Sequence, residues 1–245
     1  MKRYLFLFIL ILSNSPLFGA PIELSIRVLA KDAKFIGSSM QGAEVTVTDI
    51  STGKTLAKGL TEGGTGNTKI IMKSAHNRGD VLSSKESASF NTTLNISQPT
   101  KVKISARGPM NLGENSMTTT VELWLIPGKH MNQKDAIMLE LPGFYIKSQL
   151  NETKTPNTAS VTSEIRMMCG CPIEPEGLWD ANNYEITAYL LKNGKEISRK
   201  PMKFEKTSFF SADFNLTGPG KYEIVTFAYD SATSNTGVDT LQLNK

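Results

Sequence analysis

The sequence predicts an all-β protein made of two antiparallel β-sandwich domains in tandem. Apolar and polar side chains alternate with a period of two in segment after segment, beginning with Ile22-Glu23-Leu24-Ser25-Ile26-Arg27-Val28. No long stretch carries the 3.6-residue spacing of a helix. Between the alternating segments stand Gly, Asn, Asp and Pro, the residues that turn a chain sharply, and Asn193-Gly194 is the strongest hairpin signal among them.

The ends and totals bound the class. Met1-Lys2-Arg3 followed by the apolar run Tyr4–Leu12 reads as a secretory signal peptide over 1–19, with the cut after Gly19 or Ala20. That run is too short to cross a hydrocarbon layer of about 30 Å as a helix. The mature chain is therefore expected in the periplasm or secreted, with no membrane span after cleavage. The formal net charge is +4, and Lys2 and Arg3 supply two of those charges. So modest a balance gives no reason to expect a nucleic-acid surface. Two cysteines allow one disulfide at most, so stability must come from a packed core.

The N-terminal sandwich is expected over 20–153. Its strands are read at 22–30, 43–49, 55–59, 69–72, 88–96, 100–107 and 118–126, with a last strand at 138–146. The block 43–61, with Val45-Thr46-Val47, Asp49 and Thr52-Gly53, resembles carboxypeptidase regulatory-like and other transthyretin-like domains. That resemblance implies an adhesive or spacer module in which the hairpin is structural. Thr61-Glu62-Gly63-Gly64-Thr65-Gly66 lacks the Gly-Lys-Ser/Thr ending of a phosphate loop and reads as a tight turn. Arg78-Gly79-Asp80 resembles the integrin-binding tripeptide, which acts from an exposed loop.

The polar stretch 151–157 reads as the linker. The C-terminal sandwich is expected over 160–245. Strands are read at 159–167, 184–191 and 196–199, and then at 209–216, 221–230 and 238–243. The ending, from Gly218-Pro219-Gly220 through Tyr222 and Tyr229 to Asn235-Thr236-Gly237, resembles bacterial immunoglobulin-like and fibronectin type III-like domains. Such domains serve as stalks, binding modules or enzyme appendages, so the resemblance implies no chemistry.

The chemistry concentrates in Met167-Met168-Cys169-Gly170-Cys171-Pro172. On a continuous strand Met167, Cys169 and Cys171 would share one face, with Met168 opposite. A turn at Gly170 would instead bring both thiols to one point. Three readings follow. One is a disulfide between Cys169 and Cys171, whose i,i+2 spacing requires a bent backbone. Another is a soft-metal site, with copper favoured by thiolate and thioether donors, drawn from Cys169, Cys171, Met167, Met168 and His130. The third is thiol–disulfide exchange, although the Cys-x-x-Cys spacing of a thioredoxin-like site is absent. No catalytic residue is assigned. His76 and His130 belong to no metalloprotease motif, and Glu174, Glu176 and Asp180 read as solvated charge. The chain is thus expected to be an exported, non-catalytic binding or structural protein of the cell envelope. Its partner would be a protein or another envelope component. A periplasmic copper-binding protein is the alternative, and no cofactor other than copper is expected.

Overall fold

The computed structural model describes residues 19–153 and 155–244. Apart from Gly19, the expected leader lies outside the described residues. Among the described residues, fifteen strands form four sheets. The chain is all-β and consistent with β-sandwich architecture. No described helix is long and apolar enough to cross a membrane.

The first seven strands are β1 (Ala20–Ala30), β2 (Glu44–Asp49), β3 (Thr55–Leu60), β4 (Phe90–Ile96), β5 (Thr100–Gly108), β6 (Met117–Leu125) and β7 (Ile137–Leu141). They make two sheets, β4-β1-β7 and β3-β2-β5-β6. β1 runs antiparallel to β4 and parallel to β7. Alternation decides which side is buried: Ile22, Leu24, Ile26 and Val28 enter a core shared with Val45, Val47, Val102 and Ile104. The opposite face of β1 is covered by the 61–89 loop. There Arg27 donates from Nη1 to the carbonyl oxygens of Ser87 (2.6 Å) and Ala88 (3.0 Å). A small second core of Phe35, Ile71 and Ala88 packs beneath that loop.

The remaining strands are β8 (Phe144–Asn151), β9 (Thr158–Met167), β10 (Tyr184–Lys192), β11 (Lys195–Pro201), β12 (Lys203–Lys206), β13 (Phe209–Asn215), β14 (Lys221–Asp230) and β15 (Asn235–Asn244). They form β12-β13-β9-β8 and β11-β10-β14-β15. Inside lie Val161, Ile165, Phe210, Phe214, Leu190, Tyr222 and Ile224. A buried hydroxyl chain crosses this core, from Ser148 to Ser163 (2.8 Å) and on to Thr226 (3.1 Å). It leaves none of the three hydroxyls unpaired. Asn193-Gly194 does join β10 to β11, with φ of 50° and 79° at the two residues.

Three expectations are corrected. The strand read at 69–72 is a single π-helical turn, Lys69–Lys73. Asn67 Oδ1 accepts from the N–H groups of Lys69 (2.9 Å) and Ile70 (3.2 Å), which captures the donors a sheet ladder would have used. The strand read at 138–146 is two strands in different sheets, broken at Pro142-Gly143, where Gly143 has φ +130°. The expected linker joins β8 to β9, which pair antiparallel from Phe144↔Met167 to Asn151↔Ser160. The chain therefore passes between sheet pairs at 142–143, and β8 and β9 stay in one sheet as antiparallel neighbours.

That passage is held by one side chain. Asn235, buried at the start of β15, accepts from the Gly143 N–H (2.6 Å) and donates to the Gly143 carbonyl (3.0 Å). Replacing it leaves a buried donor and a buried acceptor unpaired, at about 1–3 kcal/mol each. Asn235→Ala is expected to lower stability by about 2–4 kcal/mol in urea unfolding.

Candidate functional site at the junction of the sheet pairs

β9 ends at Met167, and the chain doubles back at once. The Gly170 N–H donates to the Met167 carbonyl (2.8 Å) and the Met167 N–H to the Cys171 carbonyl (3.0 Å). Arg166 and Pro172 then pair as an antiparallel bridge. Gly170 has φ +82°, a left-handed conformation that suits glycine. Arg166 clasps the turn from outside, donating from Nη1 to the Gly170 carbonyl (3.3 Å) and from Nε to Glu164 Oε1 (2.5 Å). The returning segment is pinned by Ser208, whose N–H donates to the Ile173 carbonyl (2.9 Å) and whose Oγ accepts from the Ile173 N–H (3.2 Å).

The turn replaces the single strand face considered from the sequence. Cys169 and Cys171, 1% and 6% exposed, are free thiols hydrogen-bonded to each other. No disulfide joins them in this structure. Met167 continues the inward alternation of β9. Met168 turns toward Gly143 and Met117, so near that a Cβ on Gly143 would stand 2.4 Å from its Cε. His130 belongs elsewhere. Its Nδ1 accepts from the Glu23 N–H (3.1 Å) near the start of β1. Seven residue steps along the strand lead from Glu23 to Ala30, the end of β1 near the cysteines, a span of roughly 23 Å. His130 cannot complete a shell around Cys169 and Cys171.

What reaches the cysteines is the loop that follows β1. Ala33 closes a tight turn on Ala30 (3.0 Å), and the next residue, Lys34, presents its backbone N–H to the Cys169 sulfur. Farther along the same loop, Met40 lies against Gly170, where an added Cβ would stand 2.5 Å from its Sδ. Trp179, 5% exposed, donates from Nε1 to the Asp32 carbonyl (2.8 Å). The sulfur cluster is thus buried where the second sheet pair meets the first. Lys34 and Met40 carry no local motif, and only their position across the junction reveals them.

Burial works to raise the Cys169 thiol. It is outweighed by hydrogen bonds from the Cys171 thiol and from the backbone N–H groups of Lys34 and Cys171, together with the Lys34 charge, so that the pKa falls to about 7. Cys171 moves far upward, first because it donates to Cys169, then through burial and the Cys169 charge. The pair releases one proton readily and holds the second. Nearby, the Asp32 carboxyl is raised by burial, then by Asp230 and Glu140. With both sulfurs buried, a macromolecular disulfide has no direct line of attack, which a thiol-exchange role requires.

The other singled-out triplet, Arg78-Gly79-Asp80, sits on an exposed turn closed by the Asp80 N–H on the Asn77 carbonyl (3.1 Å). The Asp80 carboxylate is itself engaged by the Asn77 N–H (2.7 Å). Compared with known proteins, the chain matches no family model and no curated protein sequence.

Two outcomes follow. A folded pKa of about 7 for Cys169, below its ordinary 9.0, means the unfolded chain binds more protons between those values. Stability should therefore rise from pH 7 to 9. Above 9 it should fall, because Cys171 keeps its proton in the fold while the unfolded thiol ionises. Urea midpoints across pH 6–10 should show this bend in the wild type, and a Cys169→Ser/Cys171→Ser variant should lose it. Gly170→Ala, forced to φ +82° and toward Met40 Sδ, should cost about 1–3 kcal/mol in the same measurement.

Proposed function

We propose that the chain is an exported, non-catalytic binding protein of the cell envelope. Its two sheet pairs serve as tandem sandwich modules, and one outer sheet face contacts a protein partner. The observation that carries this reading is an apolar spot on the outer face of β3-β2-β5-β6. Trp124, 56% exposed, is the cross-strand partner of Lys101. The Ile50 N–H donates to the Lys101 carbonyl (3.0 Å) on the other side. Ile50, Lys101 and Trp124 thus form a row across the sheet, with exposed Ile126 two residues beyond Trp124. Around them lie Lys103 and the Lys101–Glu122 ion pair (2.7 Å). A tryptophan with aliphatic neighbours and a charged surround has the composition of a protein-binding spot.

The second sheet pair supports the module reading. Its order, β12-β13-β9-β8 against β11-β10-β14-β15, corresponds to strands DEBA against C′CFG of an immunoglobulin-like sandwich. Tyr222, at the start of the F-equivalent strand, donates to the carbonyl oxygens of Thr217 (2.9 Å) and Gly218 (2.8 Å), as a tyrosine corner does. The expected address, periplasmic or secreted, rests on the leader read from residues 1–19.

A photoreactive amino acid at position 124, in cells, is expected to give one discrete adduct with an envelope protein, and at buried position 179 none. Trp124→Ala should weaken binding of the captured partner roughly tenfold or more. Absence of adducts from positions 50, 124 and 126 together overturns the reading.

A further inference from the structure

We propose that Cys169, Cys171 and Met40 form a site for one soft monovalent cation, copper(I) by its donor chemistry, and that the bound ion clamps the two sheet pairs together. The site is independent of the outer face discussed above. Two thiols and a thioether meet the same turn. The two thiols are in hydrogen-bonding contact, and the Met40 thioether lies against the glycine between them. Thiolate and thioether are the ligands that select copper(I) over harder ions. Zinc asks for four donors drawn from thiolate, imidazole and carboxylate, and a thioether is not among them. Among the described residues no group of three or more His, Cys, Asp or Glu could hold a metal ion.

The surroundings favour the charge such a site would carry. On binding, both thiols release their protons to solvent, so copper(I) with two thiolates and a neutral thioether leaves one net negative charge. The Lys34 N–H on Cys169 and the Lys34 charge near both cysteines oppose that charge. A separate feature marks the thioether. Asn111 Nδ2 approaches Met40 Sδ (3.7 Å), while its Oδ1 is buried with no hydrogen-bond partner.

Because Met40 belongs to the loop after β1 and the cysteines to the loop after β9, the ion would bridge segments some 130 residues apart. Metal affinity would then appear as stability of the junction.

The test is an anaerobic titration of the reduced full chain with copper(I) against the chromophoric chelator bicinchoninate, with unfolding midpoints measured with and without metal. One equivalent per chain is expected, with a raised midpoint. Cys169→Ser and Cys171→Ser should each weaken binding roughly a hundredfold, and Met40→Leu, which conserves volume, roughly tenfold. Far-UV circular dichroism and the metal-free midpoint establish that each variant is folded. A Met40→Leu variant that binds like the wild type removes Met40 from the site. Uptake unchanged in the double serine variant overturns the whole proposal, as does no uptake by the reduced wild type. A native mass two units low, from a 169–171 disulfide, combined with no uptake after reduction, overturns it equally.

Discussion

Trp179 donates its indole N–H to the carbonyl oxygen of Asp32, and the union of the two sheet pairs rests on this contact and the packing around it. The hydrogen bond contributes about 1 kcal/mol net. Burying an indole of about 200 Å² contributes roughly 5 kcal/mol as an upper figure. Packing therefore dominates, and the hydrogen bond sets where the ring sits. Next to it Cys169, Cys171 and Met40 are buried in the same continuous core, so the junction behaves as interior. Gly170 permits this closeness, since any side chain there would strike Met40.

The corner at Pro142-Gly143 is the other half of the same constraint. β7 and β8 are separated by two residues yet belong to different sheets, so the chain has little slack where it changes partners. Asn235 satisfies both backbone groups of Gly143, and Met168 fills the space that the missing Cβ leaves. The crossing at 142–143, Asn235 on Gly143, Asn115 on Asp239 (2.9 Å) and Trp179 on Asp32 all tie one sheet pair to the other. A junction tied in this way suits both proposals. It leaves Trp124 and its neighbours on an open sheet face, and it sets Met40 against the turn that carries the two cysteines.

The electrostatics of the junction follow from its burial. Two thiols that share a proton in a dry site split their acidities, because the first charge is stabilised by N–H donors and then opposes the second. Lys34 matters here mainly through its backbone N–H, since its ammonium donates to Thr68 Oγ1 (3.0 Å). A substitution at Lys34 would therefore preserve part of the effect.

The amino-acid sequence by itself determined which side of each strand faces the core. Ile22 to Val28 and Val161 to Met167 alternate as written, and Asn193-Gly194 turns as its chemistry requires, because period and turn are local properties of a short segment. It also marked Cys169-Gly170-Cys171 as the place where chemistry concentrates. It misplaced the last strand of the first half, because Met138–Ile146 is apolar enough to read as one strand, and only pairing with β1 on one side and β9 on the other divides it. It misread Lys69–Met72, where Asn67 outbid the sheet for backbone donors. His130 was a sound donor type at the wrong end of β1, whereas Met40 and Lys34, with no motif around them, proved to be neighbours of the thiols. Side-chain spacing encodes which face of a segment is buried, but which distant loop comes to cover that face depends on how the sheets stack, and tertiary structure alone decided it.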